Sequence, residues 1–382
     1  MNLILDGHHY KYELESLANM FFHENKVRVV EEKDFSQGEY LYTSLSRNMD
    51  GIITLKVVTR LEEKLREEEF QGRPDKTDPD RFCEYHLCRM LYQQLEKATG
   101  ISLAWGMLTG VRPVRLVYRY RERGMDDKQI REHLHRDYFV TDEKIDLLLR
   151  TANKEKQILD LSRPESFSLY LSIPFCPSRC HYCSFVSHSV ERAKKLIPEY
   201  VTLLIREIEY VAPIVQKLGL RLETVYFGGG TPTAISSKQL EQIICAVEQH
   251  FDLSHLREYT VEAGRPDTIT MQKLEMLKRK GVTRISINPQ TMNDAVLEQI
   301  GRRHTTAQTI EAFQMARQAG HRNINMDLIA GLPLDTPAQF AASFHRLHQL
   351  NAHYLQLGFL KVLPDSLLST DAANYGLAYS SQ

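Results

Sequence analysis

Three cysteines within eight residues constrain this chain more than any other feature of its sequence. Cys176, Cys180 and Cys183 follow the spacing C-x3-C-x2-C. Thiolates are the usual protein ligands of iron–sulfur clusters, and a [4Fe–4S] cluster has four irons to be held. Three protein ligands would leave one iron open, so a small molecule could bind that metal directly. The spacing therefore predicts a cluster that takes part in chemistry, whereas a closed tetrahedral metal site is usually structural.

Zinc is the alternative metal for this run. The three thiolates could bind zinc together with His181 or His188, although structural zinc sites usually pair a C-x2-C knuckle with a second, distant pair. Disulfides are less expected, because a chain of 382 residues with six cysteines is not cysteine-dense and it begins without a secretory signal. The sequence favours an iron–sulfur cluster in a reducing, cytoplasmic compartment and leaves zinc open.

The charge balance argues against a general attraction to nucleic acid or to anionic membranes. The chain has 48 basic and 49 acidic side chains, so its surface has no excess of positive charge. No apolar stretch approaches the roughly twenty residues that a membrane-spanning helix requires. The length of 382 residues suits two domains, each with its own core. We therefore expect a cytoplasmic monomer with no nucleic-acid partner and no membrane span.

The pattern of apolar residues changes near residue 165. From there, short β-rich runs alternate with runs of helical periodicity, such as Leu240, Ile243, Ile244 and Val247 at i, i+3, i+4 and i+7. The predicted strands are 167–175, 223–228, 258–263, 283–288, 323–329 and 353–360, and the predicted helices are 193–218, 237–250, 270–280, 306–319 and 336–350. Repeated β-then-α order predicts an α/β fold with a parallel sheet and right-handed crossovers. Six such units suit a partial parallel barrel.

The candidate functional residues lie at the ends of the predicted strands. The cysteine run follows the first strand, the glycine run 228–230 follows the second, and Glu262, Gln290 and Asp327 lie at or near the ends of the next three. Parallel barrels carry their chemistry on the loops after the strands, so these motifs are expected to form one site. Consecutive glycines let the backbone approach a ligand without obstruction by a Cβ atom. A plain glycine-rich turn is the structural alternative.

Three runs together resemble a known family. The cysteine run, with Tyr182 before the third cysteine, resembles the signature of the radical S-adenosylmethionine (SAM) superfamily. The run 225–233, Val-Tyr-Phe-Gly-Gly-Gly-Thr-Pro-Thr, resembles the glycine motif of this superfamily. Together with Tyr170, this run resembles the oxygen-independent coproporphyrinogen III oxidase branch of the superfamily. The run 105–113, Trp-Gly-Met-Leu-Thr-Gly-Val-Arg-Pro, is similar to the HemZ-type coproporphyrinogen dehydrogenases. The core resemblance spans roughly 165–335, and it also implies the partial barrel.

The resemblance implies two groups of cofactor-binding residues beside the metal ligands Cys176, Cys180 and Cys183. The positions that match those of the cluster-bound SAM are Tyr170, Gly229 and Glu262. The positions that match those of a second SAM are Tyr182, Gly230, Thr231, Gln290, Arg302 and Asp327. Simpler interpretations stay open, because Glu262 and Asp327 could cap turns at strand ends, and Arg302 could be an exposed helix residue that pairs with Glu298.

The implied reaction is the conversion of two propionates of coproporphyrinogen III to vinyl groups in porphyrin and heme biosynthesis. An electron from the reduced cluster cleaves SAM, and the resulting radical removes a hydrogen atom from the substrate; the protein holds the cofactors and excludes water. Arg302 or Arg265 could position propionate carboxylates by paired hydrogen bonds, and no catalytic residue is assigned. The implied partners are a tetrapyrrole and a low-potential electron donor such as flavodoxin or ferredoxin. The alternatives are a heme-binding, chaperone-like relative and a radical SAM enzyme with another substrate.

The expected domains are a smaller N-terminal α+β domain at 1–165, a radical SAM core at 166–364 and a tail at 365–382. In the first domain, 26–31 and 51–59 are strand-like, a helical part runs from Asp80 to about 151, and the polar run 60–69 is interpreted as a solvated helix face. The chain after Leu334, with the runs 355–364 and 375–381, looks more like B12-associated radical SAM proteins. Because the resembled family continues with a C-terminal domain, the chain is expected to be truncated or fused.

Overall fold

The computed structural model of this chain describes residues 1–22, 26–30, 35, 38–74, 78–110, 112–360, 366 and 368. The described chain divides into two compact units, Met1–Leu161 and a second unit that begins at Ser162. The domain boundary expected after residue 165 lies just inside the second unit, directly before its first strand. The expected tail at 365–382 lies outside the described residues, apart from Ser366 and Leu368.

The first unit contains a mixed sheet that precedes a group of helices. Among the described residues, its strands are β1 (Asn2–Asp6), β2 (Arg28–Val30), β3 (Tyr40–Arg47), β4 (Ile53–Leu61) and β5 (Lys64–Gly72), in the order β2-β1-β3-β4-β5. β1 is parallel to β2 and β3, whereas β3, β4 and β5 form an antiparallel meander. The predicted strands at 26–31 and 51–59 correspond to β2 and β4.

The interpretation of the polar run 60–69 as a helix face is wrong. This run contains the end of β4, the turn and most of β5, which pairs with β4 from Lys64 to Gly72. β5 is an edge strand, and charged side chains on an edge strand oppose pairing with other chains. Its half-buried positions alternate with exposed ones along Glu67, Glu68, Glu69 and Phe70, which is the period of a strand and not of a helix.

The helices of the first unit form two hydrophobic clusters. α1 (Lys11–Asn19) and α2 (Pro79–Thr99) share a core with the sheet, and buried Cys83 and Cys88 of α2 belong to it. α3 (Val114–Glu122), α4 (Asp127–Tyr138) and α5 (Asp142–Leu159) enclose a separate core. The predicted helical part from Asp80 to about 151 is therefore confirmed as four helices within the described residues.

The second unit is built on a parallel sheet. Its strands are β6 (Ser166–Ile173), β9 (Arg221–Gly229), β10 (Glu258–Glu262), β11 (Arg284–Ser286), β12 (Ile324–Ala330) and β13 (Tyr354–Phe359), and the two-residue strands β7 (Phe175–Cys176) and β8 (His188–Ser189) pair separately. Within the described residues, the six strands of the main sheet lie in chain order and each neighbouring pair is parallel. The predicted α/β fold with a parallel sheet is therefore confirmed.

Helices follow the strands as the periodicity predicts. They are α6 (Val190–Ala193), α7 (Ile197–Lys217), α8 (Ser237–His250), α9 (Met271–Arg279), α10 (Asp294–Gln299), α11 (Thr306–Gln318) and α12 (Pro337–Gln349). The apolar positions of α8 named in the sequence, 240, 243, 244 and 247, are fully buried against the sheet. The short helix α10 was not predicted. Among the described residues, no helix combines the length and the apolar composition that crossing a bilayer requires.

A buried carboxylate holds the amino ends of the strands together. Glu223 of β9 is only 3% exposed. It accepts hydrogen bonds from Ser162 (3.0 Å), Ser166 (2.6 Å), Arg257 (2.5 Å) and Arg221. The bond from Ser166, followed by those from Arg221, Ser162 and Arg257, lowers the pKa of Glu223 to about 2. Because these residues come from separate segments of the second unit, the ionised carboxylate connects the start of β6 with the start of β9 and the approach to β10.

Substituting Glu223→Gln should lower the urea midpoint of unfolding at neutral pH. Because the pKa of Glu223 is below its ordinary value of 4.5, its contribution to stability is complete above 4.5 and is lost as the pH falls towards about 2. The difference between wild-type and variant midpoints should therefore shrink through this pH range. Circular dichroism of metal-free protein in urea, repeated across the range, measures it.

Glu241→Gln is the matched control for this prediction. Glu241 pairs with Arg279 at 3.0 Å, but both side chains are substantially exposed, and exposed ion pairs contribute only about 0–1 kcal/mol. A midpoint difference for Glu223→Gln that equals that of the control, or one that grows in acid, would contradict the proposed linkage.

Candidate functional site

The cysteine loop, which carries Cys176, Cys180 and Cys183, follows the end of β6. β7 and β8 pair through Phe175 and His188, and the His188 backbone N–H donates to Pro174 at 2.8 Å. On its other side, the His181 backbone N–H donates to Ile300 (2.9 Å), and its ring Nδ1 contacts the carbonyl oxygen of Gln299 (2.9 Å). The loop is therefore held from both sides by backbone hydrogen bonds, and His181 binds the end of α10.

The thiols of this loop lie close together. All six cysteines of the chain lie in its described part and are free. Burial raises the pKa of Cys183, and the neighbouring Cys180 and Cys176 raise it further. Among the described residues, no three cysteine, histidine or acidic side chains converge as the ligands of a single metal ion do. The three thiols of this one loop are of the ligand type that iron–sulfur clusters use.

Two glycines allow the second strand end to approach the cysteine loop. The Gly230 backbone N–H donates to Ile173 at 2.9 Å. A Cβ atom on Gly230 would lie 2.9 Å from the Sγ of Cys176 and 2.9 Å from the backbone N and O of Phe175. Gly229 has a φ of +100°, which side chains other than glycine rarely adopt. A plain turn would not require this close approach, so the glycine run forms a bare backbone surface beside Cys176.

Thr231 and the third strand extend this surface. The Thr231 hydroxyl donates to the Sγ of Cys176 at 3.5 Å. Glu262, at the end of β10, accepts a hydrogen bond from the hydroxyl of Tyr226. The ring of Tyr226 stacks on that of Tyr170, with the ring centres 5.7 Å apart, and Tyr170 is 59% exposed. Burial raises the pKa of Glu262 and the nearby Asp327 raises it further, whereas the hydrogen bond from Tyr226 lowers it.

The fourth and fifth strand ends are connected through the backbone. Gln290, with a φ of +70°, forms a parallel β-bridge with Leu328. Its backbone N–H donates to the backbone carbonyl oxygen of Asp327 at 2.9 Å. Asp327 accepts a hydrogen bond from Asn325 at 2.7 Å, yet burial raises the pKa of Asp327. The carboxyl of Asp327 raises the pKa of Glu262, so these two half-buried carboxyls lie near each other.

Arg302 is buried beside the cysteine loop. It is 7% exposed, and its Nη1 donates to the carbonyl oxygen of Asn288 at 2.5 Å. Tyr182 and Cys180 lie close to its guanidinium, and burial raises the pKa of Tyr182. The alternative of an exposed helix residue paired with Glu298 is therefore wrong for Arg302.

Several buried polar atoms of this site have no hydrogen-bond partner in the described part of the chain. They include Oε1 of Gln290, Oδ1 of Asn288 and Nε of Arg302. A buried polar atom without a partner costs roughly 1–3 kcal/mol, so a ligand that offered donors and acceptors here would be favoured.

The predicted site residues lie along the carboxyl edge of the sheet, which is the edge at which β6, β9, β10, β11 and β12 end.

Some residues of the site were not predicted or were given another role. Tyr226 and Asn288 were not singled out, although Tyr226 stands just before the glycine run. Arg265 was considered for substrate carboxylates, but it is 3% exposed and its donors contact Asp267, Ser178 and Cys180. The donors of the Arg265 guanidinium are therefore occupied by groups of the protein.

This chain is similar to several known proteins. The Radical SAM superfamily matches residues 170–347. The oxygen-independent coproporphyrinogen-III oxidase-like protein HemZ of Bacillus subtilis is 33% identical over 372 residues, which cover 96% of this chain and 73% of that protein. The heme chaperone HemW of the same organism is 35% identical over 201 residues, covering 52% of each chain. The coproporphyrinogen III oxidase HemN of Escherichia coli has a solved structure that aligns with a TM-score of 0.49 and 27% identity, covering 57% of this chain and 51% of that one.

Substituting Gly230→Ala should impair metal loading without unfolding the protein. The added methyl group would collide with Cys176 and with the rigid backbone of Phe175, and such overpacking costs about 1–3 kcal/mol locally. We expect iron content after anaerobic reconstitution to fall to about half of wild type or less. Iron and acid-labile sulfide per chain measure the effect, and circular dichroism reports folding.

Gly264→Ala is the matched control in the same site. A Cβ atom there would meet Nδ2 of Asn288 at 3.5 Å, an ordinary van der Waals contact. This control should load iron as wild type does. Full iron content in the Gly230→Ala protein would show that the close approach to Cys176 is not required.

Proposed function

We propose a function from one premise: this chain belongs to the radical SAM superfamily, in the family of the oxygen-independent coproporphyrinogen-III oxidase-like protein HemZ. A [4Fe–4S] cluster and SAM are the cofactors of this superfamily. We assign Cys176, Cys180 and Cys183 to the cluster, because their free thiols lie together in one loop. The close approach of the Gly230 backbone to Cys176 supports this assignment, since a side chain at Gly230 would displace the proposed ligand thiol.

The reaction that fits best is the oxidative decarboxylation of two propionates of coproporphyrinogen III to vinyl groups, giving protoporphyrinogen IX. Each propionate would lose one hydrogen atom, which 5′-deoxyadenosine would retain, one carbon dioxide, and one electron, which a one-electron acceptor would take up. Similarity to the HemZ relative along 96% of this chain supports this substrate class. The chain spans 73% of the length of that relative and 52% of the length of the B. subtilis HemW relative. A low-potential donor such as flavodoxin or ferredoxin would reduce the cluster.

The residues of the carboxyl edge would hold and orient the cofactors. When bound, the cluster and SAM supply the one-electron chemistry that removes a hydrogen atom from the substrate. Gly229 would let the methionine part of SAM approach the backbone, and Glu262 would offer a carboxylate to its amino group. Tyr226 fixes the orientation of Glu262 by its hydrogen bond. Tyr170 lies at the exposed side of this group.

A second SAM is proposed on the opposite side of the glycine run. Its binding residues would be Tyr182, Gly230, Thr231, Gln290, Arg302 and Asp327. The unpaired Oε1 of Gln290 and Nε of Arg302 support this assignment, because they offer one acceptor and one donor to a ligand. The raised pKa of Asp327 likewise favours a ligand with a positive charge.

A heme-binding function is the second candidate. The specific observation in its favour is the similarity to the heme chaperone HemW, 35% identical over 201 residues. Such a protein would take up heme stably and would leave coproporphyrinogen III unchanged.

An anaerobic assay with coproporphyrinogen III tests the proposed reaction. Reconstituted protein, reduced with dithionite, should cleave SAM to 5′-deoxyadenosine and convert propionates to vinyl groups, because the proposed site would hold SAM at the cluster. Chromatography and mass spectrometry of nucleoside and porphyrin products provide the readout. SAM cleavage without vinyl products would reject this substrate, and stable heme uptake without decarboxylation would favour the second candidate.

Cysteine variants provide the control for this assay. Cys180→Ala should lose the cluster and SAM cleavage together. Cys245→Ala changes a free thiol of α8, away from the loop, and should keep both. If the Cys180→Ala protein retained its cluster and full activity, the ligand assignment would be wrong.

Substituting Glu262→Gln should weaken SAM binding by roughly 10- to 100-fold, because a hydrogen bond to a charged group contributes about 1.5–3 kcal/mol. Equilibrium dialysis of labelled SAM against anaerobically reconstituted protein measures the dissociation constant. Iron content should stay at the wild-type level, since Glu262 is not assigned to the metal.

Glu258→Gln is the control on the same strand. Glu258 lies at the opposite end of β10, where its carboxylate is 3.6 Å from Arg284. Its substitution should leave SAM affinity unchanged. Equal affinities for all three proteins would remove Glu262 from the proposed SAM site.

A further inference from the structure

Arg265 is a buried cation whose side chain reaches the cysteine loop. It follows β10 and is 3% exposed. Its Nη1 donates to the carbonyl oxygen of Ser178 (3.2 Å) and contacts the Sγ of Cys180 (3.7 Å), while its Nη2 donates to the Ser178 hydroxyl (3.2 Å). A single guanidinium group thus binds the loop at a backbone carbonyl, a hydroxyl and a metal-ligand sulfur.

Asp267 fixes the orientation of this guanidinium. Nε and Nη2 of Arg265 donate to the two carboxylate oxygens of Asp267 at 3.0 and 3.1 Å. Paired hydrogen bonds of this kind set the plane of the guanidinium as well as its position. Pro266 stands between the two residues and restricts the backbone at the start of a short 3-10 helix. The donors that face Ser178 and Cys180 are therefore oriented before any metal binds.

The contact network joins three loops of the carboxyl edge. Ser178, held by Arg265, donates its own hydroxyl to the carbonyl oxygen of Gly301 at 2.9 Å. Gly301 immediately precedes Arg302, the other buried guanidinium near Cys180. The loop after β10, the cysteine loop and the loop after α10 are thus connected through Ser178.

A buried positive charge beside a cluster thiolate has a defined electrostatic effect. Reduction adds one negative charge to the cluster, and an N–H donor or a cation near a ligand sulfur stabilises that added charge. The effect is strong where water is excluded, because the local dielectric is low. Cys180 is itself 9% exposed, so the contact with Arg265 lies in such a region.

We propose that Arg265 is a positioning residue for the iron–sulfur cluster: it orients the Cys180 side of the cysteine loop and raises the reduction potential of the cluster. Asp267 opposes part of this effect, because its negative charge partly neutralises the guanidinium. The inference rests on the cluster ligands Cys176, Cys180 and Cys183 and not on the substrate. Failure of vinyl formation would therefore leave it standing.

Redox titration of the reconstituted full-length protein, followed by electron paramagnetic resonance, tests the proposal. Arg265→Gln should lower the equilibrium constant for cluster reduction about tenfold or more, a shift of about 59 mV to more negative potential for a one-electron couple. Arg265→Lys keeps a positive charge but loses the paired donors of the planar guanidinium. The shift of its reduction potential should therefore be smaller than that of Arg265→Gln. A wild-type potential in Arg265→Gln protein with full iron content would overturn the proposal.

Asp267→Asn makes the test independent of failed metal loading. Removing this carboxylate should shift the potential in the opposite direction, to less negative values, because the charge of Arg265 is then less neutralised. If Arg265→Gln takes up no iron, an upward shift in Asp267→Asn supports the proposal, and an unchanged or more negative potential overturns it. Arg284→Gln is the control, since Arg284 opens β11 at the amino ends of the strands, and its potential should equal that of wild type.

Discussion

The close approach of two neighbouring strand ends is the constraint on which the rest of the site depends. β6 and β9 pair in parallel up to Ile173 and Gly229, and Gly230 continues the pairing with a hydrogen bond to Ile173. This backbone register places the glycine run directly against Cys176. The sheet itself therefore aligns the proposed metal-ligand loop with the proposed SAM-binding loop. Because the two loops are so close, a side chain at Gly230 would collide with Cys176.

The periodicity of apolar residues was sufficient to predict the main strands of the second unit, but it was insufficient to predict all strands of the first unit. Strands such as β9 are covered by helices, so apolar residues like Val225 and Phe227 are buried and mark the strand in the sequence. The sequence of β5 has no such pattern of buried apolar residues, because β5 is an edge strand whose charged side chains reach solvent. Its identity becomes evident only from pairing with β4, a contact that local sequence does not contain.

The location of the site residues was predictable, whereas their contacts were not. Parallel strands end at one edge, so motifs after successive strands could be expected to meet there. The burial of Arg302 depends on the loop after α10, a helix that was not predicted. The role of Arg265 depends on a contact with Ser178 and Cys180 across nearly ninety residues of sequence (|i−j| = 87 and 85). Tertiary contacts of this kind have no local signal.

Charged side chains of both signs lie near the carboxyl edge. The guanidinium groups of Arg265 and Arg302 lie beside Cys180, whereas the half-buried carboxyls of Glu262 and Asp327 belong to the end of β10 and the middle of β12. Cluster thiolates are negative, whereas SAM carries a sulfonium and an amino group. In the proposed site, the guanidinium groups would lie near the cluster thiolates and the carboxyls would lie near SAM. Burial raises the pKa of both carboxyls, and the positive charge of a bound SAM would favour their ionised forms.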